Sequence, residues 1–580
     1  MIILKYIYLV FRMFEASYQR MVIFLLLSLV VLTILHHFMK EKKEKIWCAL
    51  CAIPLLVFLV FYFMNRILGN AEMTLQRYAS LGIVALLLLL WGTVIFFKRD
   101  YKAYMILTYI FTILWLVIGI IFVTVCLSRV YVGNHSHDGW EESFEKTIED
   151  LGTAYVLRDW KELDYDALKE KYLPLVREAE RTHDEVAMLM ALYELRYDLY
   201  DGHVRVRTTN SAAKQEAAER LAGNDYGFSL FQAENGDYLA VLVEEDCEAN
   251  RLGIQNGTII TKWDGVPVEE AVKDVKCIDT FYVFSYLENE QIFQPIFLAG
   301  HGGDTLQVTF LDENAKEKTV TVSAMGNYLE RRTKAIKIFY GTPADNENFH
   351  TCMINDHVGY LRITEESYLG DPTMDIIKCS IAGYSKELYD DLNAKLEGLR
   401  EQGMDRLIID LRNNDGGYSY LSKSLIGLFT DQVQPSDMGY YLNGSYHAVL
   451  SPMAYGTGPW KELPLIVLVN GETGSSGDCM AYLLKTYAHA KLIGNSTTWG
   501  CAQCTGGCSI LSNGEFSFFY PIASTPGEDN LPIIDARSDR KARITLDYQI
   551  TYDREGVLEL FGDGERDVVL EKALALMDEN

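Results

Sequence analysis

Positive charge is scarce in this chain. Its 580 residues carry 53 Lys and Arg against 79 Asp and Glu, a formal charge of −26. A surface of that sign repels phosphate, which excludes nucleic acid as a partner. Cysteine is also sparse, with 11 residues, three of them (Cys48, Cys51, Cys126) in apolar surroundings. The others are too few to staple so long a chain as a disulfide scaffold. The 11 histidines show no metal-ligand spacing: His36 and His37 end an apolar run, and His135 and His137 stand in a linker. No metal and no other cofactor is implied. Acidic groups, finally, are almost absent from the first 130 residues.

That region is instead rich in Leu, Ile, Val and Phe. Four apolar stretches, 21–38, 46–64, 80–97 and 103–128, are each near the ~20 residues that a helix needs to span a bilayer. They read as a four-helix transmembrane region over 21–130, after an N-terminal tail over 1–20, and make the lipid bilayer a partner. Lys40, Lys42, Lys43 and Lys45 follow the first stretch, and Lys98, Arg99 and Lys102 follow the third. The intervening loop has only Arg66 and Arg77. The bias of basic residues toward the cytoplasm then leaves the rest of the chain outside the cell, although Lys5, Arg12 and Arg20 pull the other way. No opposed charges mark a transport path, so the region reads as an anchor in a multi-pass protein of the cell membrane.

The remainder mixes charged and apolar residues. Over 131–215 apolar positions recur at three and four, as in DALKEKYLPLVREAE, which is the signature of packed helices. The helices end at Asp201-Gly202-His203, a turn signal. Residues 226–325 change to short alternating strands, with a small helix leading to Gly253 and turns at Asn256-Gly257 and Asp264-Gly265. Over 340–580 strands and helices alternate, which implies crossover units and a mostly parallel α/β sheet. Sites in such sheets lie beyond the carboxyl ends of the strands.

Two turns stand at those ends. In Asp410-Leu411-Arg412-Asn413-Asn414-Asp415-Gly416-Gly417 a buried strand runs into a glycine-rich turn, where backbone N–H groups can face a ligand; it is equally a tight turn closing a strand. In Asn470-Gly471-Glu472-Thr473-Gly474-Ser475-Ser476-Gly477-Asp478 a strand enters small residues just before a helix. A serine there is most often an N-cap, but the free N–H groups and dipole of the helix start also suit an acyl-transfer nucleophile. Cys501, Cys504 and Cys508 form a local cluster. It is open to a disulfide with a spare thiol, to zinc with Cys479 as fourth ligand, to a nucleophilic thiol, or to a plain loop.

Taken in order, the helices ending in Asp-Gly-His, the β-rich insert, the DLRxNxGG turn and the N-x-x-T-x-S-S-G-D turn resemble the C-terminal-processing (tail-specific) serine peptidases, whose core is shared with tricorn protease. The resemblance covers about 140–575. Leu163-Asp164-Tyr165-Asp166 with Tyr172-Leu173-Pro174 looks like a further family segment. It implies a PDZ-like domain at 226–325 and a ClpP/crotonase-like α/β peptidase core at 340–580. It implies Ser475 as nucleophile, with Ser476 and Gly416 or Gly417 forming the oxyanion hole. One branch of the family takes its base from a lysine where Cys501 stands here; the tricorn-like branch uses a histidine matched by His203, with a C-terminal acid for which Asp539 is the candidate. Tyr226, Gly227, Phe228 and Ser229 fall where a PDZ-like domain binds a peptide terminus. The expected activity is that of a membrane-anchored serine endopeptidase acting on protein or peptide substrates through their C-terminal tails. Its rivals are an inactive peptide receptor on the same fold and a membrane sensor regulated by the peptidase-like part.

Overall fold

The apolar runs at 358–363, 406–410 and 465–469 fold as adjacent strands because each is bounded by polar turns and followed by a helix long enough to cross back. The computed structural model describes residues 131–580, except 342–347, 367–383, 435–437, 443–444, 450–453, 525–530, 563, 565 and 580. One sheet runs in the order Phe349–Met353, Val358–Ile363, Arg406–Asp410, Leu465–Val469, Lys491–Gly494, Tyr548–Gln549. Only its first pair is antiparallel; the remaining neighbours are parallel. Helices Lys386–Glu401, Ser419–Phe429 and Ser476–Tyr487 cover one face, and Val568–Asp578 covers the other. Leu465–Val469 is buried along its whole length, as a strand covered on both faces must be.

The helical segment comprises Trp140–Ala154, Tyr165–Thr182 and Glu185–Asp198. Asp164 and Asp184 cap the last two, accepting from the N–H groups of Ala167 and Ala187. The chain then forms strand Arg205–Thr208, which pairs antiparallel with Phe516–Ser524; that strand pairs in turn with Cys504–Leu511. This second sheet ties the turn before Arg205 to the far end of the sequence. Between the two lies a β-rich stretch in which Ser229–Gln232 pairs with Tyr238–Val241, and Ile260–Trp263, Thr305–Leu311 and Glu317–Ser323 form an antiparallel run. Helices Leu287–Leu298 and Leu329–Tyr340 pack against it through Phe293, Ile296, Phe297, Ile336 and Phe339.

The multi-pass membrane fold and location expected from the sequence are corrected here. Among the described residues no helix is long and apolar enough to cross a membrane. The longest described helix, Tyr165–Thr182, buries Leu168, Tyr172, Val176 and Ala179 and turns its charged residues outward, as an amphipathic helix packed on one face does. The stretches 21–38, 46–64, 80–97 and 103–128 lie outside the described residues, as does the 1–20 tail. What the structure supports is an α/β fold.

Ile409 is fully buried at the centre of the parallel sheet. Ile409→Ala is expected to cost about 2–5 kcal/mol, a transfer and cavity loss that chemical denaturation would register as a lower midpoint.

Candidate active site

Strand Leu465–Val469 ends in the turn 470–475 and helix Ser476–Tyr487 begins at once, which leaves Ser475 as the residue at the helix entry. Its backbone sits at φ 58°, ψ −117°, a conformation that a non-glycine residue adopts only under constraint. The constraint is visible. Thr473 Oγ1 donates to Leu411 O at 2.8 Å, and Gly474 N–H donates to Asn414 O at 2.8 Å. These bonds fasten the turn 470–475 to the glycine turn that follows the neighbouring strand. Gly416 completes the seam: a Cβ there would lie 2.6 Å from Ser476 N and 2.7 Å from Ser475 Cβ, so only glycine allows the approach.

Across this turn, His203 Nε2 lies 3.0 Å from Ser475 Oγ, joining residues 272 apart in sequence. His203 is buried, whereas Ser475 remains half-exposed. Its turn is held from behind. Asp201 accepts from His203 N–H at 2.8 Å and from the Tyr155 hydroxyl at 2.7 Å, and Lys161 Nζ donates to Tyr200 O at 2.9 Å. Burial pushes the imidazole down to about 4, against the opposing pull of Asp201, so the ring is neutral near pH 7. Its Nδ1 is buried and has no hydrogen-bond partner among the described residues.

The indole of Trp499 packs between the two turns. A Cβ at Gly202 would lie 2.6 Å from it and a Cβ at Gly474 2.2 Å, so both glycines make room for the ring. Asp478 on helix Ser476–Tyr487 accepts from Gly500 N–H at 2.9 Å and Cys501 N–H at 3.1 Å, which pins the loop carrying the indole. Burial pushes that carboxyl up to about 6, although these bonds favour its charge.

Some expected residues stand elsewhere. Asp539 is exposed and accepts from Lys541 N–H at 3.3 Å; it is not brought to His203. The buried carboxylate of that segment is Asp535, which lies 2.6 Å from Lys161 Nζ and bridges backbone to backbone with Cys501. Its sequence signal is an acid ending the apolar run of Ile533 and Ile534. Gly416 N–H is engaged by Asn414 Oδ1 at 2.8 Å, whereas Gly417 is exposed beside it. The peptide-binding candidates are buried and engaged within the chain. Gly227 N–H donates to Asp225 at 2.8 Å, Tyr226 donates to Gly303 O at 2.7 Å, Ser229 Oγ meets the Tyr328 hydroxyl at 2.5 Å, and Phe228 is fully enclosed. Cys501 and Cys508 are free thiols, and among the described residues no cluster of potential metal ligands occurs. Burial raises the Cys501 thiol well above its ordinary range, which makes it a poor nucleophile. Its sulfur packs against Gly202, in the place where the lysine of the other branch would be expected.

Gly416→Ala is expected to leave the fold intact and to lower the reactivity of Ser475 by about 10²–10³-fold, comparable to losing an oxyanion donor, because the added methyl forces the two turns apart. The rate of labelling by a fluorophosphonate measures it.

Residues 357–516 match the sequence profile of Peptidase family S41. A carboxyl-terminal-processing protease of Picosynechococcus is 30% identical over 156 residues, which is 24% of this chain and 35% of that protein. The carboxy-terminal processing protease CtpA of Bacillus subtilis is 28% identical over 123 residues, 21% of this chain and 26% of the relative. The chain thus spans about a third or less of these relatives' length. Among solved structures, mature CPAF shares 13% identity with a TM-score of 0.47, covering 72% of this chain and 94% of that one. The photosystem II D1 C-terminal processing protease shares 17% with a TM-score of 0.32, covering 73% and 97%. At such TM-scores the structural likeness adds no weight. The segment that matches Peptidase family S41, residues 357–516, contains both turns and Ser475.

Proposed function

We propose that this chain is a serine endopeptidase of the carboxyl-terminal-processing type, working through an acyl-enzyme on Ser475. The observation that carries the reading is the 3.0 Å contact between His203 Nε2 and Ser475 Oγ. His203, neutral near pH 7, takes the proton of the attacking hydroxyl and later returns it to the leaving amine; water then releases the acyl group with the same base. The oxyanion faces the Ser476 N–H at the helix start and the N–H of Gly417, the Gly416 N–H being spent on Asn414. The turn that presents His203 is steadied by Asp201 directly, and by Asp535 through Lys161. In this reading Asp535, rather than Asp539, is the C-terminal acid that steadies this turn, without touching His203.

The substrate class follows from the relatives: a protein or peptide, cut near its carboxyl end. The opposing reading, an inactive receptor, draws on the unpartnered Nδ1 of His203, since a triad orients that nitrogen with a carboxylate.

The purified chain and its Ser475→Ala, His203→Ala and Asp539→Ala variants separate the two. Fluorophosphonate labelling and peptide cleavage should vanish in Ser475→Ala, fall by about 10²-fold or more in His203→Ala, and persist in Asp539→Ala. Peptide binding without any labelling in the unaltered chain would establish the receptor instead. The buried imidazole also sets an acid limit. Its pKa is lowered in the folded state, so the stability it supports is complete above about 6.5 and is lost as pH falls toward about 4. His203→Gln should flatten the fall of the melting temperature across that window.

A further inference from the structure

Glu366 is a carboxylate buried behind the nucleophile turn, and the mechanism above makes no use of it. It is 1% exposed. Its backbone is stitched to the glycine turn: Glu366 N–H donates to Gly416 O at 2.8 Å, Tyr418 N–H donates to Glu366 O at 3.0 Å, and the two segments bridge in parallel at Gly417. A Cβ on Gly417 would lie 2.1 Å from Glu366 O, so glycine is required for this contact as well. Its side chain reaches the other way. Ser422 Oγ, on helix Ser419–Phe429, lies 2.5 Å from Glu366 Oε2 and 2.6 Å from Ser476 Oγ. Ser476 follows the nucleophile and offers the N–H assigned to the oxyanion. One residue therefore spans both walls of that hole, by its backbone on the Gly416–Tyr418 side and through two hydroxyls on the Ser476 side.

We propose that Glu366, as the neutral acid, is a positioning residue that fixes the Gly417 and Ser476 N–H groups at the separation the oxyanion needs. The inference rests on the hydrolase reading above. The surroundings favour the neutral form. Oε1 is buried with no hydrogen-bond partner among the described residues, an arrangement costly for a charge and tolerable for a protonated carboxyl. The glycine turn presents Asp415, whose negative charge opposes ionisation and is itself answered by Arg205; the two packed helices present the uncharged Ser422 and Ser476. Burial, opposed by the hydrogen bonds from Ser422 and Ser476 and aided slightly by Asp415, pushes Glu366 up to about 7. Protonation also sets the direction of the chain of hydroxyls. The neutral acid donates to Ser422, which frees the Ser422 hydroxyl to donate to Ser476. The carboxylate instead draws both hydroxyls toward itself and places a negative charge behind the developing oxyanion.

The test uses the purified chain with Glu366→Gln, Glu366→Ala and Ser422→Ala, scored by fluorophosphonate labelling rate, by kcat and KM on a cleaved peptide, and by a pH series from 5 to 9. Glu366→Gln, which keeps a neutral donor, should stay close to the unaltered protein at pH 6. It should also lack the decline that the unaltered protein shows as pH rises through about 7. Glu366→Ala and Ser422→Ala should lose about tenfold or more in kcat, as expected for misplaced reacting groups, with KM little changed. Melting curves identify an alanine variant that fails to fold, in which case Ser422→Ala and Glu366→Gln decide. Glu366→Gln as impaired as Glu366→Ala, or a pH profile unchanged by it, would overturn the inference while Ser475-dependent labelling still upheld the hydrolase. Absence of labelling in the unaltered chain would remove both.

Discussion

Holding Ser475 at φ 58°, ψ −117° is the constraint on which the rest of the site depends. Such a conformation costs of order 1–3 kcal/mol and survives only where its surroundings over-determine it. Here the surroundings are two strand-end turns bonded to one another. Asn414 O receives Gly474 N–H, Leu411 O receives the Thr473 hydroxyl, and Asn470 Oδ1 receives Asn413 N–H at 3.0 Å. Because the parallel strands Arg406–Asp410 and Leu465–Val469 are neighbours, their carboxyl ends deliver these turns side by side. The sheet therefore supplies the strain, and the glycines at 416, 474 and 477 supply the clearance. Gly477 lies under Asn414, where a Cβ would meet its carbonyl oxygen at 2.8 Å.

Burial does the electrostatic work. His203, Asp478 and Glu366 are all enclosed, and all move away from their ordinary range toward the neutral form. A neutral imidazole can accept a proton, whereas a charged one cannot; enclosure thus keeps His203 in the accepting form without a strong partner at Nδ1. The same dryness makes each backbone N–H near Ser475 worth more than it would be in water. Stability and reactivity are set against each other here. Every one of these groups loses solvation on folding, and the apolar sheet beneath them offsets the loss.

Much of this was legible in the sequence. The crossover pattern at 358–363, 406–410 and 465–469 gave a mostly parallel sheet, and the two small-residue turns fell at its carboxyl edge because strand–helix periodicity is a local signal. His203 and Ser475 could be named, but their approach to 3.0 Å depends on a sheet pairing between Arg205–Thr208 and Phe516–Ser524, which no local pattern reports. Asp539 is the acid nearest the C-terminal motif, whereas Asp535, four residues earlier, is the buried one. Glu366 had no signal at all, since its partners are contributed by two other segments. The buried loop at Tyr226–Ser229 shows the converse failure: a sequence that looks like an open binding loop can be closed by its own Asp225 and Tyr328.

The base itself comes from outside the parallel sheet. His203 is carried by the turn that follows the helical segment, and three contacts decide where that turn lies. Tyr155 reaches it from the end of helix Trp140–Ala154 through Asp201, Lys161 reaches it from the next connection through Tyr200 O, and Trp499 fills the gap at Gly202. Lys161 is in turn anchored by Asp535 in the C-terminal segment. Lys161 and Asp535 are both buried, and burial pushes the Asp535 carboxyl well above its ordinary range, so truncating either leaves a buried polar group without its partner, a loss of about 1–3 kcal/mol. Their distance from Ser475 and His203 does not make them dispensable: these two residues belong to different sheets, and this pair together with the Trp499 loop fastens one to the other. A site assembled in this way gains its reactivity when the two parts are seated, and any change that loosens the seat acts on Ser475 through the position of His203.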